Sequence, residues 1–455
     1  MSLKTKLYEH QKIAIEKIEG LKVAALFMDM GTGKTRTTLE YIEIKSYKID
    51  KVVWLCPVRT KYNLRNDIKK HSDYECGFIE DYKKEFICIC GIESVSQSDN
   101  VYFKLNDICT DKTLIVVDES HMIKNFFAKR SQRIHSLKSK YRLALTGTPT
   151  PNGIIDYFSQ FYFLSPKILG YNSYYSFAAN HIEYSDKYPG MINRTHDTEY
   201  ITKKINPYIY QVKKSECLDL PDKTYSERTC YLSKRASREY DYIKDYYLER
   251  INYDEFNSTI IFQMFNYVHR VCSGFYSKGH KKTRRFVDYE KIKLLKETLE
   301  EIDLKENRVV IFYRYNSDRA MIKKHIEVKA EINGNVSLKQ QEESIRAIHN
   351  EESIILININ SGSVGLNLQC CNYAIFYNNT FDYAKRIQAE DRLHRIGQYR
   401  NVHIIDLVMY GTIDERILEN LRNKKSTIKE LEKEIRSIKD DKEKAKEFIN
   451  RMLKG

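Results

Sequence analysis

The stretch VAALFMDMGTGKTRTTLEY, residues 23–41, decides the fold of this chain. Its first part, Val23–Phe27, is a continuous apolar run, which is typical of a strand buried on both faces of a parallel sheet. Glycines follow at Gly31 and Gly33, and a helical pattern begins at Lys34. A strand, a glycine-rich turn and a helix in this order predict a loop that binds phosphate.

Each residue type in this loop suits that chemistry. The glycines allow backbone N–H groups to turn toward a phosphate, and the helix adds the partial positive charge of its N-terminus. Lys34 would reach the β- and γ-phosphates of a nucleotide, and the Thr35 hydroxyl would bind Mg²⁺. The generic pattern has glycine at position 28, where this chain has Met28, but the short form Gly-x-Gly-Lys-Thr is complete. The predicted nucleotide-binding residues of the loop are Met30, Gly31, Thr32, Gly33, Lys34 and Thr35.

Seven further apolar runs resemble the first. They are Val52–Cys56, Leu114–Val117, Leu143–Leu145, Val309–Phe312, Ile354–Ile357, Ala374–Tyr377 and Val402–Leu407. Amphipathic stretches lie between many of them, which favours parallel sheets with helices on both faces. The runs form one set before residue 150 and another after residue 300. We therefore predict the α/β fold class, with two lobes joined by a helical middle.

The middle and the end of the chain have helical patterns. Ser233 is expected to cap a helix over Arg235–Arg250, and a second helix is predicted over Phe256–Val271. The aromatic-rich segment Tyr157–Tyr210 is expected to be core, although aromatic rings can also stack on bases. Leu421–Gly455 predicts a long amphipathic helix from its apolar residues Ile428, Leu431, Ile435 and Ile438. Packing on a lobe is the expected role of this helix, and binding of a partner helix or of DNA is the alternative.

Composition indicates a globular protein with an anionic partner. The 76 Lys and Arg against 62 Asp and Glu give a net charge of +14, which favours nucleic acid, with a plain solubility charge as the alternative. Only 17 Gly and 7 Pro exclude a collagenous or disordered chain. No apolar run approaches about 18 residues and no signal peptide is visible, so no membrane association is expected. The ten Cys lack zinc-site spacing and predict reduced core residues in a cytoplasmic protein.

Two carboxylates follow the predicted strand Leu114–Val117. Ligands of parallel sheets bind outside the carboxyl ends of the strands, where Asp118 and Glu119 are expected to lie. Asp118 would hold Mg²⁺, and Glu119 would orient or deprotonate the attacking water. The alternative is a solvated pair of acids, which the phosphate loop makes the weaker interpretation.

Gln388, Arg392 and Arg395 are spaced so that they would share one face of a helix. Two guanidiniums facing a triphosphate would act as arginine fingers, which are worth about 10³–10⁵ in rate. The alternative is a surface helix with salt bridges, because Glu390 and Asp391 are adjacent.

A series of stretches, in order along the chain, is similar to motifs of the Swi/Snf-type branch of helicase superfamily two. They are LYEHQ (7–11), Cys56-Pro57 with Asn63, Ile89–Val95 with Glu93, DESHMIKN (118–125), LTGTPTPN (145–152), Lys213 and Lys214 with Leu220-Pro221, Val309–Tyr313 with Asn333-Gly334, GSVGLNL (362–368), DRLHRIGQ (391–398) and GTIDE (411–415). The resemblance covers nearly the whole chain. It implies an active DNA-dependent ATPase that translocates on duplex DNA.

The resemblance also implies an organisation and a set of partners. It implies two RecA-like lobes, the first over 1–213 with a protrusion at about 150–210 and the second over 291–455 with the C-terminal helix. Residues 214–290 would form an interlobe linker and a helical protrusion. ATP and Mg²⁺ are the implied cofactors, with the nucleotide between the lobes, and Gln11 and Gly365 join the ATP site while Thr35 and Asp118 hold the metal. The expected DNA contacts are Pro57, Asn63, Glu93, Thr146, Lys281, Lys282, Arg284 and Arg285, the last four in a basic loop that is equally well explained as a mobile charged segment.

Some residues depart from the family pattern. Phe381-Asp382-Tyr383 stands where the branch has Trp-Asn-Pro, Ser361 and Ser363 replace Ala and Gly, and Phe27 and Met28 replace small and acidic residues. None of these changes removes a catalytic group. A strand-separating DNA or RNA helicase, a catalytically idle nucleic-acid-binding scaffold and a nucleotide switch without nucleic acid are the alternatives. The composition resembles compact members from bacteria and phages, which predicts the cytoplasm of a bacterial or phage-infected cell.

Overall fold

The structure, a computed structural model, describes most of the chain. The described residues are 2–147, 149, 153, 155–184, 192–253, 258–277, 284–286, 288–350, 352–360, 366–425, 427 and 442–453. The chain divides into two compact units, Met1–Asp219 and Leu220–Gly455. The division into 1–213, 214–290 and 291–455 that the resemblance implies stays a prediction.

The first unit is built on a seven-stranded parallel sheet with the strand order β3-β4-β2-β5-β6-β1-β9, to which a separate antiparallel pair β7-β8 is added. The strands are β1 Val23–Met28, β2 Lys51–Cys56, β3 Cys76–Phe78, β4 Ile87–Gly91, β5 Thr113–Asp118, β6 Tyr141–Leu145, β7 Ile182–Tyr184, β8 Ile192–Thr195 and β9 Ile209–Val212. The helices are α1 Glu9–Ile18, α2 Lys34–Lys45, α3 Lys61–His71, α4 Ser94–Gln97, α5 Asp99–Ile108, α6 Lys129–Ser136, α7 Asp156–Leu164, α8 Tyr174–His181, α9 Thr198–Ile205 and α10 Lys214–Cys217.

The second unit contains a six-stranded parallel sheet with the order β10-β17-β16-β13-β15-β14 and an antiparallel pair β11-β12. The strands are β10 Lys223–Cys230, β11 Phe275–Ser277, β12 Arg284–Phe286, β13 Val309–Tyr313, β14 Ala330–Ile332, β15 Ile354–Asn358, β16 Tyr373–Phe376 and β17 Val402–Met409. The helices are α11 Lys234–Tyr253, α12 Ser258–Cys272, α13 Glu290–Glu300, α14 Asn316–His325, α15 Leu338–Asn350, α16 Tyr383–Glu390, α17 Ile413–Arg422 and α18 Lys442–Leu453.

The sheets are buried on both faces, which explains their continuous apolar runs. In β1, Ala25 and Phe27 pack into one core, while Ala24 and Leu26 pack into another on the opposite face. The second sheet is covered in the same way by two further cores. Such burial is what parallel sheets with helices on both faces require. The predicted α/β class with two parallel sheets is confirmed, and all eight predicted strands are present.

The helical middle belongs to the second unit. Helices α11, α12, α17 and α18 enclose one apolar cluster. The predicted cap is confirmed, since Ser233 Oγ accepts a hydrogen bond from Ala236 N at 3.3 Å. The predicted C-terminal helix does not begin at Leu421, because α17 ends at Arg422 and Lys424 has a left-handed φ of 56°. Its described end, α18, packs on this unit, since Tyr240 Oη donates to Leu453 O at 2.9 Å. The predicted apolar positions Ile428, Leu431, Ile435 and Ile438 lie outside the described residues.

The aromatic segment is mainly core, as expected. Phe158, Phe161, Phe163 and Phe177 are fully buried in the first unit. Tyr175 is an exception, because 72% of it is exposed. None of the described helices combines the length and the apolar character that a membrane crossing would need.

Candidate functional site

The glycine-rich turn connects β1 to α2, as predicted. Gly31 and Gly33 have φ angles of 81° and 86°, left-handed values that glycine adopts without a steric penalty. Helix α2 begins at Lys34, and its N-cap residue, Gly33, has no side chain that could cap it. An uncapped helix N-terminus after a glycine turn directs backbone N–H groups and a partial positive charge at the same point. This arrangement suits a bound phosphate.

Two buried side chains of α1 contact the backbone of the glycine-rich turn. Gln11 Nε2 donates to Thr32 O at 3.1 Å and to Gly33 O at 3.4 Å, and its Oε1 accepts from Tyr8 N at 3.0 Å. His10 Nε2 lies 2.8 Å from Thr32 O. A Cβ atom on Gly33 would lie 2.2 Å from Gln11 Nε2, so this approach requires glycine. Gln11 therefore supports the loop backbone here, and the adenine contact that the resemblance implies stays a prediction.

The lysine of the loop folds over its own backbone. Lys34 Nζ donates to Met28 O at 2.8 Å and to Asp29 O at 3.3 Å. Asp29 Oδ2 accepts from Lys214 N at 2.9 Å, and Thr32 Oγ1 donates to Asp29 O at 2.8 Å. The ammonium group is thus held beside the turn, where phosphate oxygens can replace the carbonyls as acceptors.

The predicted carboxylates lie at the same edge of the sheet as the loop. Strands β5, β6 and β1 are neighbours in that order, so Asp118 and the loop follow carboxyl ends that are two strands apart. Glu119 N donates to Asp118 Oδ1 at 3.0 Å. Glu119 itself has a φ of 53° and a ψ of 53°, a left-handed conformation that costs a non-glycine residue about 1–3 kcal/mol. Strain of this kind is typical of functional positions.

Contacts at the ends of β5 and β6 fix the direction of the Glu119 carboxylate. His121 Nδ1 lies 3.3 Å from Glu119 Oε2 and 3.3 Å from Thr146 Oγ1. Thr146 Oγ1 also donates to Glu119 Oε2 at 3.4 Å, and Thr146 is fully buried. The Thr146 hydroxyl therefore contacts His121 and Glu119, and these contacts orient the Glu119 carboxylate. The DNA contact predicted for Thr146 stays a prediction.

Other expected DNA contacts lie at the carboxyl ends of β2 and β4, which are adjacent strands. Glu93 Oε2 accepts from Val58 N at 2.9 Å, which ties the segment after β4 to the turn that follows Pro57. Asn63 lies in α3, just beyond that turn. The structure thus brings Pro57 and Glu93 together.

The predicted basic loop is mostly outside the described residues. This applies to Lys281 and Lys282, and also to Gly365 of the expected ATP site. Arg284 and Arg285 lie on β12, which pairs with β11 in an antiparallel hairpin.

In the second unit, the structure contradicts the helix face predicted for three site residues. Gln388, Arg392 and Arg395 do not share one helix face, because α16 ends at Glu390 and both arginines lie in the turns that follow. Arg392 O accepts from Leu368 N at 3.1 Å, a bond to another segment that replaces a continued helical ladder. Tertiary contacts, which periodicity cannot show, end the helix here.

Hydrogen bonds connect the segment that carries the predicted arginines to residues 367–371, which precede it in the chain. Arg395 Nη1 donates to Asn367 Oδ1 at 2.5 Å. Gln398 Nε2 donates to Cys371 O at 2.8 Å and to Leu393 O at 3.3 Å. Arg392 is only 8% exposed. The arginines are thus positioned by residues 366–371 and not by helical spacing.

The neighbouring acid is part of a buried charge network, not of a surface salt bridge. Glu390 pairs with Arg386 at 2.8 Å and with Lys223 at 3.1 Å, and it accepts from Tyr225 Oη at 2.8 Å. Arg386 also pairs with Asp406 at 2.5 Å. Burial alone would raise the pKa of the Glu390 carboxyl, but the charges of Arg386 and Lys223 hold this pKa below its ordinary value. The network anchors α16 to β10 and β17.

Comparisons with known proteins agree with this architecture. The model of the SNF2-related domain matches residues 22–273, which is more than half of the chain. The model of the helicase conserved C-terminal domain matches residues 290–397. The chain therefore belongs to the SNF2-related family, and it carries a helicase C-terminal domain in its second unit.

Relatives come from bacteria and from eukaryotes. The "Putative ATP-dependent helicase/translocase YwqA" of Bacillus subtilis is 26% identical over an alignment of 334 residues, which covers 69% of this chain and 35% of that protein. The "TATA-binding protein-associated factor mot1" of Schizosaccharomyces pombe is 25% identical over 399 residues, covering 72% of this chain and 20% of that protein. The chain thus spans between a fifth and about a third of the length of these relatives.

A solved structure aligns over almost the full chain. The "Sulfolobus solfataricus SWI2/SNF2 ATPase core in complex with dsDNA" covers 99% of this chain and is covered to 97%, with 23% identity and a TM-score of 0.45. The family assignment rests on the domain models and not on this superposition.

Three supporting residues had no role in the sequence-based prediction. They are His10, His121 and Asn367, which contact the loop, Glu119 and Arg395, respectively. Each lies within one or two residues of a predicted position or inside a matched motif. Their tasks depend on contacts between separate segments, so adjacency in a motif was the only available signal.

Proposed function

We propose that the protein is a DNA-dependent ATPase that couples ATP hydrolysis to translocation on duplex DNA. The observation that carries this proposal is the preformed phosphate loop at the same sheet edge as Asp118 and the strained, oriented Glu119. Membership of the SNF2-related family supports it.

The residues fit ATP and Mg²⁺. Left-handed glycines and the uncapped start of α2 suit a polyphosphate, and Lys34 supplies a charge at the loop. Among the described residues, no group of three or more His, Cys, Asp or Glu side chains could hold a metal by itself. Mg²⁺ commonly keeps water and phosphate ligands and needs only one or two protein groups, for which Thr35 and Asp118 are the candidates. The bound metal would neutralise charge that develops on the phosphates.

Side chains of the protein bind the phosphates, activate the water and stabilise the developing charge. Lys34 binds the β- and γ-phosphates, and Glu119 orients the attacking water and accepts its proton. His121 and Thr146 keep the Glu119 carboxylate in position. Arg392 and Arg395 act on the γ-phosphate as arginine fingers, with Gln388 nearby in α16. Gln11 and Gly365 complete the proposed nucleotide site.

Duplex DNA is the proposed partner. The net charge of +14 favours a polyanion, and the family includes duplex translocases by the resemblance described above. Contacts to phosphates position a protein without reading sequence, so little sequence preference is expected. The affinity for DNA should fall with salt, with a slope of about −0.9 per contacted phosphate.

One experiment tests the proposal directly. ATP turnover is measured in parallel without nucleic acid and with single-stranded DNA, duplex DNA and RNA. Duplex DNA should stimulate turnover most, and the stimulation should decline as salt rises. Turnover unmoved by any nucleic acid would refute the motor and favour a nucleotide switch. No turnover under any condition would favour an idle nucleic-acid-binding scaffold.

A strand-separating helicase is the second candidate, because relatives carry the word helicase in their names. A forked duplex with a labelled strand separates the two activities. The motor should hydrolyse ATP on this substrate and displace a bound protein block without releasing the strand. Compact bacterial or phage origin and a cytoplasmic location stay predictions.

A further inference from the structure

Two neighbouring cysteines lie in the turn that precedes β16. The sulfur atoms of Cys370 and Cys371 are 3.9 Å apart. Cys371 is fully buried, while Cys370 is partly exposed. The turn is closed by a hydrogen bond from Cys371 N to Leu368 O at 2.9 Å. One cysteine is therefore partly exposed, and the sulfur of a fully buried one lies beside its own.

The two thiols differ in reactivity. The thiol of Cys371 hydrogen-bonds to Cys370 and lowers the pKa of Cys370, and the nearby charge of Arg308 acts in the same direction. Burial raises the pKa of Cys371. By contrast, burial raises the pKa of Cys76, Cys217 and Cys230, which are also partly exposed. Among these, Cys370 has the environment of a nucleophile, and the sulfur of a second thiol lies 3.9 Å from its own.

We propose that Cys370 and Cys371 form an oxidisable dithiol site whose substrate is a hydroperoxide. The Cys370 thiolate attacks the O–O bond, which gives a sulfenic acid on Cys370 and releases hydroxide or an alkoxide. The Cys371 thiol then attacks this sulfur, the S–O bond breaks, water leaves, and a disulfide joins the two neighbouring residues. The peroxide takes up the two electrons, and a dithiol such as dithiothreitol returns them.

The disulfide cannot form within the present turn. The sulfur atoms must approach from 3.9 Å to about 2.0 Å. Consecutive Cα atoms are about 3.8 Å apart, which is below the usual range for a disulfide, so the backbone must rearrange. The bonds at risk are Cys371 N to Leu368 O and Gln398 Nε2 to Cys371 O.

These bonds connect the cysteines to the segment with the predicted arginine fingers. Leu368 N donates to Arg392 O, and Arg395 contacts Asn367 one residue before Leu368. Rearrangement of the turn therefore displaces both arginines and lowers ATP turnover. This effect on turnover rests on the proposed function, whereas the oxidation itself does not.

The test treats the full chain with hydrogen peroxide, removes the oxidant and divides the sample, with dithiothreitol added to one half. Mass spectrometry of the peptide with Cys370 and Cys371 should show a loss of about 2 Da that dithiothreitol reverses. Hydrogen exchange of residues 366–376 and 391–398 should become faster after oxidation, while residues 29–35 stay unchanged. ATP turnover should fall at least about tenfold and recover on reduction, since an arginine finger is worth more than this.

Variants identify the site. C370S should show neither the loss of mass nor the loss of turnover, and C371S should stop at an oxidised Cys370 without a disulfide. C217S is the matched control, because Cys217 is also partly exposed, and it should respond like the unchanged protein. Unaltered mass at Cys370 and Cys371, or equal sensitivity of C370S, would overturn the proposal. A correct change of mass and exchange in a protein without ATP turnover would overturn the proposed function alone.

Discussion

The two units hold their site residues by different means. In the first unit, buried His10 and Gln11 contact the carbonyls of a glycine turn, so the loop is supported by hydrogen bonds to its backbone. In the second unit, the predicted arginines lie on turns beside buried charges. Among the described residues, ion pairs of Lys or Arg with both side chains under a tenth exposed occur only in the second unit. They are Arg386–Glu390, Arg386–Asp406 and Lys291–Asp414.

The difference separates a fixed set of predicted site residues, in the first unit, from a conditional set in the second unit. A cradle held through hydrogen bonds to its backbone carbonyls needs no buried ion pair, so it keeps its shape without a ligand. Buried ion pairs are costly to desolvate and become strongly destabilising when one partner is lost. The second unit therefore depends on complete networks and on the contacts of residues 366–371. The following substitutions and conditions test this contrast.

The largest effect is expected at the fixed cradle. Lys34→Ala removes the charge that meets the β- and γ-phosphates, so it should abolish turnover and weaken nucleotide binding together. Glu119→Gln is the control, because it should abolish turnover while ATP stays bound. Binding of a fluorescent ATP analogue and phosphate release measure the two effects. Turnover by Glu119→Gln at the unchanged rate would remove the role of Glu119.

In the second unit, Arg395→Ala should lower ATP turnover by a factor of about 10³–10⁵, while nucleotide binding changes much less. Arg395→Lys should not restore turnover, because an ammonium group lacks the planar fork of donors. DNA affinity without nucleotide should stay near that of the unchanged protein. Steady-state turnover, nucleotide binding and DNA binding of one variant decide the assignment. A collapse of DNA binding with intact turnover per complex would make Arg395 a DNA contact.

Loss of a buried charge should destabilise only the second unit. Arg386→Met leaves the buried Asp406 without its ion-pair partner and Glu390 with Lys223 alone, and it should cost about 3–5 kcal/mol in the free energy of unfolding. The control is Arg228→Met, whose pair with Glu301 is exposed and worth about 0–1 kcal/mol.

The single tryptophan makes this measurement specific. Trp54 is fully buried in the first unit, so its fluorescence reports unfolding of that unit alone. In urea, circular dichroism should show an earlier transition for Arg386→Met, while the Trp54 transition stays in place. A shift of both transitions would mean that the units unfold as one.

Gly33 and Gly411 both have a left-handed φ, but a Cβ at Gly33 would be closely packed, whereas a Cβ at Gly411 would lie in open space. Gly33→Ala and Gly411→Ala both place a Cβ at a positive φ, which costs about 1–2 kcal/mol. No heavy atom lies within 4 Å of a Cβ at Gly411, whereas Gly33→Ala also collides with Gln11. Gly33→Ala should therefore be the more destabilising and should also weaken ATP binding. Urea unfolding and nucleotide titration test this, and equal effects would contradict the supporting role of Gln11.

At neutral pH the smallest effect is expected at a histidine that makes the stability of the first unit depend on pH. Burial, with the charge of Arg142 nearby, lowers the pKa of His135 to about 4. The unfolded chain binds this proton near pH 6.5, so stability is lost as pH falls from about 6.5 to about 4, by up to about 1.4 kcal/mol per pH unit. His135→Phe should reduce the slope, measured by Trp54 fluorescence in urea. An unchanged slope would assign it to other groups, such as His71.

The sequence predicted the parts of the fold that local pattern determines. Strands such as β1 and β13 were found because burial on both faces leaves only apolar residues. Strand β10 was missed because its sequence, KTYSERTC, is polar and most of its residues are exposed. Periodicity alone extended α16 to Arg395, since the contact of Arg392 with Leu368 that ends it is not local. The motif residues were predicted one by one, but the support of Gly33 by Gln11 required the fold.

Strand β10 also has a consequence for how the protein is made. It pairs along its whole length with β17, from Lys223 against Val402 to Cys230 against Met409. A ribosome must therefore synthesise almost the entire chain before this edge of the second sheet can close, whereas the first sheet has all its strands once β9 has emerged. Pairing over such a sequence separation is slow, and unpaired strands are prone to aggregate. Nascent chains that stall before residue 402 should contain a folded first unit followed by an incomplete second unit that is prone to aggregate.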